Sequence, residues 1–281
     1  MSQNKTFGLV GFPVKHSLSP KMHNAAFSRL KIKAKYRLFP LQERQLKSFL
    51  SGLKKRNIFG LNVTIPHKER VLEFIDGYVS EGVRVIGACN TIVVGVDGKL
   101  KAYNTDYLGF LRHIRELKLK PKKIAIIGSG GAAKSVVFAL IKSGAEEIYI
   151  FDIDKFRSLS LVKRFSDIFP QCKIRAVASI EELNLRDRDL LVNASPVGMK
   201  EADPLLVEPA KLHKALFVYD LVYNHAETKL LKAAKDAGCG QANGLGMLLY
   251  QGVEAFELWV KPKKAPVEAM RQALAKGVRR S

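Results

Sequence analysis

The run KKIAIIGSGGAAKSVVFALIKSGAEEIYIFDID constrains this chain more than any other stretch. Ile124 to Ile127 is a short apolar segment of the kind buried on both faces of a parallel sheet. Gly128-Ser129-Gly130-Gly131-Ala132-Ala133 follows at once, in G-x-G-x-x-A spacing. Gly128 permits a tight turn, Gly130 lets the backbone approach a pyrophosphate, and Ala133 lets the next helix pack closely. Helical spacing then runs to Lys142, Ser143-Gly144 supplies a stop, and Ile148 to Phe151 reads as a second strand. Strand, glycine turn, helix and strand in that order predict a dinucleotide-binding unit. Its phosphates would rest on the amides and dipole at the helix start, over Gly128, Ser129, Gly130, Gly131 and Ala132.

Asp152 stands at the tip of the second strand, 24 residues after Gly128. A carboxylate there bonds the adenosine ribose hydroxyls and repels a 2′-phosphate, which favours NAD over NADP. Lys155 and Arg157, just beyond, pull the other way. Leu190-Leu191-Val192-Asn193 before ASPVGM reads as a further core strand, and ALFVYDLVY as another, ending at Asp220 to Tyr223. Strands alternating with helical stretches predict a parallel, doubly wound α/β sheet.

The N-terminal third alternates as well. TFGLVGFPV is a strand into a turn, SLSPKMHNAAFSRL a serine-rich loop opening a helix, and AKYRLFPL a second strand. Phe59 to Ile65 is a third strand, and Pro66 suits the first position of a following helix, where its missing N–H costs nothing. Thr64 and Lys68 then flank a strand-to-helix junction, where α/β proteins place ligands. ACNTIVVGVDGKLKAYNTD holds a hairpin turning at Val96-Asp97-Gly98. Ser17, Ser19, Thr64, Asn90 and Asp106 lie at strand ends or loop starts, and with Lys68 they suit a small polar site for a hydroxylated acid. Each has a plain structural alternative: Ser19 and Asp106 are good helix caps, and Asn90 suits a turn.

Composition narrows the remaining classes. A chain of 281 residues with 47% hydrophobic content holds one large core or two ordinary domains. There is no apolar run of transmembrane length and no signal-peptide pattern, and three scattered cysteines fit a reducing cytoplasm. Cys89, Cys172 and Cys239 lack metal-ligand spacing, and no metal is expected. The net charge of +21 is spread over Lys31 to Arg37, Lys54 to Arg56, Lys118 to Lys123 and Lys261 to Arg280. Without a nucleic-acid motif it predicts steering of small anions rather than specific nucleic-acid binding.

SLSPKMHN, NVTIPHK, GACNTI, NTDYLGF, GSGGAAKS, NASPVGM, YDLVY and NGLGMLLYQGVEAFELW stand in the order found in shikimate dehydrogenases, and the chain resembles that family over nearly its whole length. The resemblance implies a two-domain α/β fold. Residues 1–105, completed by 244–281, would form the substrate-binding catalytic domain, and 106–243 an inserted Rossmann NAD(P)-binding domain. Helices starting near Asp106 and running through Met247 to Trp259 would be the crossovers.

The same resemblance implies reversible reduction of 3-dehydroshikimate to shikimate, in aromatic biosynthesis, by a cytoplasmic monomer or homodimer with NADP or NAD. Lys68 and Asp106 would be the catalytic pair. Ser17, Ser19 and Tyr223 would hold the substrate carboxylate. Thr64, Asn90 and Gln251 would contact its hydroxyls or that carboxylate, and Leu221, Gly244 and Met247 would lie near the nicotinamide. One departure matters. Asp152-Ile153-Asp154 replaces the Asn-Arg-Thr of NADP-dependent members, which resembles the NAD-preferring quinate/shikimate branch. Ser19 completes the serine pair expected for shikimate, so an NAD-dependent quinate/shikimate dehydrogenase stands as the alternative. A non-catalytic NAD(P) sensor is the alternative of another class, against which the retained Lys68 and Asp106 argue.

Overall fold

A computed structural model describes residues 5–225 and 227–278; Arg279 and Arg280 of the basic C-terminal run lie outside the described residues. The chain divides into two compact units, Met1–Gly109 with Leu249–Ser281, and Phe110–Leu248.

In the first unit, β1 (Lys5–Gly11), α1 (Ser19–Arg29), β2 (Ala34–Pro40), α2 (Glu43–Ser51) and β3 (Ile58–Val63) come in turn. A single-turn α3 (His67–Arg70), α4 (Glu81–Ile86), β4 (Thr91–Val94) and β5 (Leu100–Tyr103) follow. Pro66 caps α3 rather than sitting at its first position, because the chain leaves Pro66 with φ −92° and ψ 8°, outside the helix. The sheet runs β2-β1-β3-β4-β5, with β1, β2 and β3 mutually parallel and β4 antiparallel to both β3 and β5. Strand order reverses between β1 and β3, and the carboxyl ends at such a reversal form the crevice where α/β sheets bind ligands. Val10, Leu46, Phe49, Leu50, Leu61, Val63 and Ile92 fill the core beneath it.

The second unit begins within α5 (Asp106–Glu116), followed by β6 (Lys123–Ile127), α6 (Gly131–Lys142), β7 (Glu147–Phe151) and α7 (Lys155–Ile168). Then come β8 (Lys173–Ala176), β9 (Leu190–Asn193), β10 (Phe217–Asp220), α8 (Lys229–Asp236) and β11 (Gly240–Asn243). Its six strands are all parallel, in the order β11-β10-β9-β6-β7-β8. Numbered within the unit and read from β8, this is 3-2-1-4-5-6, the Rossmann order, with its switch point between β6 and β9.

Two long elements carry the chain across the division, α5 and α9 (Leu245–Trp259), and α10 (Val267–Val278) closes the first unit against α1. The division falls a few residues after 105/106 and 243/244, inside both helices. Asp106 and Tyr107 belong with the first unit through contacts to Asn90 and Gly82. Gly246 belongs with the second, its Cα face lying against the His113 ring.

His23 of α1 marks the aromatic part of the first core. Its ring stacks on Tyr36 with centroids 4.4 Å apart, and Trp259 lies at 5.3 Å. Both ring nitrogens are buried with no hydrogen-bond partner among the described residues. Burial lowers the imidazole from its ordinary 6.5 to about 3. An unfolded chain takes up a proton near 6.5 that the folded one refuses, so this contribution is complete above that pH and is lost as pH falls toward 3. Stability should therefore fall by about 2 kcal/mol from this residue between pH 6.5 and 4.5. Urea unfolding at both pH values should show that loss in the unmodified protein and its disappearance in His23→Phe; equal losses would refute the assignment.

Candidate active site

The crevice of the first unit is built from strand ends. Beyond β3, Thr64 accepts the amide of His67 and donates its own N–H to the carbonyl of Val10 on β1, which fixes the junction leading into α3. The carbonyl of Lys68 accepts the amide of Cys89 at 2.7 Å. The side chain of Lys68 then reaches Asp106, where Nζ donates to Oδ2 at 2.6 Å. Both are largely withdrawn from water, with side chains 17% and 10% exposed, so the pair is screened far less than a surface salt bridge.

Asp106 opens α5 without capping it. Asn104 Oδ1 accepts the amides of Asp106 and Tyr107, at 3.1 and 3.3 Å, and takes that duty. The carboxylate of Asp106 is thereby left for Lys68 and for Asn90, whose Nδ2 donates to Oδ1 at 2.7 Å. The helix-cap alternative for Asp106 does not hold, and Asn90, buried in this network, is no turn residue of the surface.

Ser17 and Ser19 follow β1. Ser17 Oγ accepts the amide of Ser19 at 3.2 Å, and Ser19 is the first residue of α1 rather than its cap. Leu18 occupies the cap position without a side-chain acceptor, so hydroxyls and a helix start gather where an anion is favoured. Ser19 is buried beside the Tyr36 hydroxyl. Gln251, also buried, lies on α9 against Gly109 of α5. Ser17, Ser19, Thr64, Lys68, Asn90, Asp106 and Gln251 thus all belong to the first unit, and Tyr223 belongs to the second. Cys89 is adjacent, and burial pushes its thiol up to about 12, which keeps it protonated and unreactive.

The second unit carries the dinucleotide features. Gly128 adopts φ +103°, and a Cβ there would lie 2.8 Å from the backbone of Ala194 and Ser195. Gly130 is the N-cap of α6 and makes no side-chain cap bond, so among the described residues no cap side chain occupies the first amides of this twelve-residue helix. That donor set fits the pyrophosphate of a dinucleotide. Ser129 turns toward Asp152: its amide and hydroxyl both donate to Oδ2 at 2.6 Å, while the amide of Asp154 donates to Oδ1. Partial burial raises the Asp152 carboxyl, but these donors and the charge of Arg157 outweigh it and hold the group below its ordinary value. Arg157 brings a cation to the same turn, its Nη2 3.6 Å from where a Gly130 Cβ would stand.

At the ends of β10 and β11, Leu221 donates its amide to Asn193, and Gly244 packs so tightly on Leu221 that a Cβ would lie 2.0 Å from its carbonyl oxygen. Met247 follows one turn into α9 and is buried. The loop is pinned by Asp220, which accepts from Asn193 Nδ2, Thr228 Oγ1 and the Val222 amide. Burial raises the Asp220 carboxyl above its ordinary value. Sequence reasoning did not single out Asp220, Thr228, Asn62, Thr91, Asn104 or Thr105. The signal for these was polarity inside otherwise apolar or β-branched runs, as at Asn62 in GLNVTI. Among the described residues no group of histidine, cysteine, aspartate and glutamate gathers to hold a metal.

A Rossmann-type unit joined to a second α/β unit with a shielded lysine–aspartate pair defines a two-domain, dinucleotide-dependent oxidoreductase. Residues 9–92 match the family model for the shikimate dehydrogenase substrate binding domain, and 244–275 that for the shikimate 5'-dehydrogenase C-terminal domain. The shikimate dehydrogenase (NADP(+)) of Methanopyrus kandleri is 42% identical, over 99% of this chain and 97% of the relative. The crystal structure of shikimate dehydrogenase from Aquifex aeolicus superposes with a TM-score of 0.89 at 36% identity, covering 98% of each chain. Shikimate 5-dehydrogenase from Listeria monocytogenes, in complex with shikimate and NAD, gives 0.88 at 34% identity, covering 98% of this chain and 97% of that one. The chain belongs to the shikimate dehydrogenase family.

Proposed function

We propose that this protein catalyses the reversible reduction of 3-dehydroshikimate to shikimate with a nicotinamide cofactor, in the cytoplasm, as a step of aromatic amino acid biosynthesis. The Lys68–Asp106 pair, 2.6 Å apart and shielded from water, is the observation that carries this reading. A bound nicotinamide supplies the hydride to the substrate carbonyl carbon or removes it from the alcohol. Lys68 donates a proton to the carbonyl oxygen in reduction, and in its neutral form accepts one in oxidation. Asp106 holds Lys68 through Oδ2 and aligns it with the reacting oxygen. Thr64, Asn90 and Gln251 contact the ring hydroxyls or the carboxylate, and Ser17 and Ser19 hold the carboxylate.

The residues favour shikimate over quinate because Ser17 and Ser19 both remain at the start of α1. Initial rates of oxidation of the two acids, followed by reduced nicotinamide, test this. Shikimate should be turned over well and quinate poorly; faster turnover of quinate would assign the protein to the quinate branch instead.

NADP or NAD is the cofactor. The Methanopyrus relative is named for NADP(+), and the Listeria neighbour holds NAD. In this chain the ionised Asp152 opposes a 2′-phosphate, and Arg157 at the same turn favours one. Asp152→Asn should raise the NADP-to-NAD ratio of kcat/KM about tenfold, the equivalent of about 1.4 kcal/mol. An unchanged ratio would remove Asp152 from cofactor choice.

A further inference from the structure

Behind Asp106 lies a chain of buried polar side chains whose donors all point one way. Tyr36 of β2 donates its hydroxyl to Asn62 Oδ1 on β3 at 2.8 Å. Asn62 Nδ2 donates to Thr91 Oγ1 on β4 at 3.1 Å, and the Thr91 hydroxyl reaches Asn90 Oδ1 either directly, at 3.2 Å, or through the Thr105 hydroxyl, which is itself 3.2 Å from Asn90 Oδ1. Asn90 Nδ2 ends the run on Asp106 Oδ1 at 2.7 Å, leaving Oδ2 to Lys68. Every member is buried, with Thr91 wholly inaccessible.

The direction of donation is fixed at the end nearest Asp106. The Thr105 amide can only donate, and it meets Asn90 Oδ1 at 2.6 Å, so the Asn90 amide cannot turn over. With Oδ1 held there, Nδ2 must face the carboxylate. The Thr105 hydroxyl, 3.0 Å from both Thr91 Oγ1 and Asn90 Nδ2, closes a ring around this end. Aligned hydrogen bonds in a low-dielectric interior polarise one another, so each donor strengthens the next. The apolar alternative was open to the sequence: Val would fill the Thr91 position with the same shape.

We propose that Thr91 is a positioning residue of the reaction: its hydroxyl, acting through Asn90, holds Asp106 so that one carboxylate oxygen stays committed to the interior and the other to Lys68. The proposal rests on the assignment of Lys68 and Asp106 as the reacting pair. It touches no substrate atom, so its signature is a loss in kcat without a matching change in KM.

Shikimate oxidation should be measured for the unmodified protein, Thr91→Val and Thr91→Ser, with saturating cofactor. Thr91→Val keeps the shape and removes the hydroxyl, and kcat should fall about tenfold while KM stays within about twofold. Thr91→Ser keeps the hydroxyl and should restore most of that kcat. If Thr91→Val does not fold, Thr91→Ala compared with Thr91→Ser gives the same contrast with a smaller side chain. Equal kcat for the hydroxyl-free and hydroxyl-bearing variants, or a rise in KM in place of the fall in kcat, overturns the proposal. Absence of turnover in the unmodified protein overturns the functional assignment, a failure distinct from this one.

Discussion

Lys68→Ala should lower kcat for shikimate oxidation about 1,000-fold, in the middle of the range for loss of a general acid–base group. The expectation follows from what Lys68 is held by and what it leaves free. Its ammonium is bound on one side by Asp106 Oδ2 at 2.6 Å, and its backbone carbonyl is anchored by the Cys89 amide. Among the described residues Asp106 alone accepts from Nζ, which leaves its other N–H groups for a substrate oxygen. Asp106 keeps the Asn90 donor after the substitution, so the local fold should persist. Shikimate binding, measured by calorimetry, should change by no more than a few-fold, because the serines and Gln251 are untouched. Arg is no substitute: its planar fork cannot place a single proton where the compact ammonium does, nor is it deprotonated near neutrality. A kcat for Lys68→Ala within about threefold of the unmodified value would end the proposed proton-transfer role.

Arg188→Ala should destabilise the nucleotide-binding unit by about 3–5 kcal/mol, the usual cost of breaking a buried ion pair from one side. Arg188 has only 1% of its side chain exposed; its Nη1 donates to Glu147 Oε2 at 2.8 Å and its Nε to the carbonyl of Leu183 at 3.0 Å. The guanidinium also lies over the Tyr149 ring, 4.0 Å from its centroid. Lys173, exposed at the edge, pairs with the other Glu147 oxygen and replaces neither the stacking nor the bond to Leu183. Because Arg188 and Glu147 sit at the amino ends of β9 and β7, away from the glycine turn, the loss should appear in urea unfolding and not in KM for the cofactor. Arg188→Lys should recover little of it, since an ammonium neither stacks nor forks. A loss below about 1 kcal/mol would show that the pair is not holding these strands.

The parts legible in the sequence are those where one physical demand dominates. β9, Leu190–Asn193, is visible because a strand buried on both faces must be a continuous apolar run. The glycine turn at Gly128 is visible because only glycine combines φ +103° with so close a neighbour. β11, Gly-Gln-Ala-Asn, escapes such a reading, since it owes its conformation to pairing with β10 rather than to its own residues. β8 is an edge strand with one buried residue, Ile174, and carries no period to find. In the proposed active site, Lys68 and Asp106 stood out through their motifs. That Asn104 rather than Asp106 caps α5 did not, because both residue types cap equally well and only the tertiary hydrogen bond to Lys68 decides between them. The buried chain from Tyr36 to Asp106 was hidden for a similar reason: its members come from four separated segments, and no local spacing links them.

The most direct test of the account is the reduction of 3-dehydroshikimate by the unmodified protein, followed by the loss of reduced nicotinamide with NADPH and, in parallel, with NADH. Rapid oxidation of at least one of them is expected, with one shikimate formed per nicotinamide consumed and with quinate a poor substrate in the reverse direction. No consumption of either cofactor by folded protein, at substrate and cofactor concentrations saturating for its relatives, would contradict it.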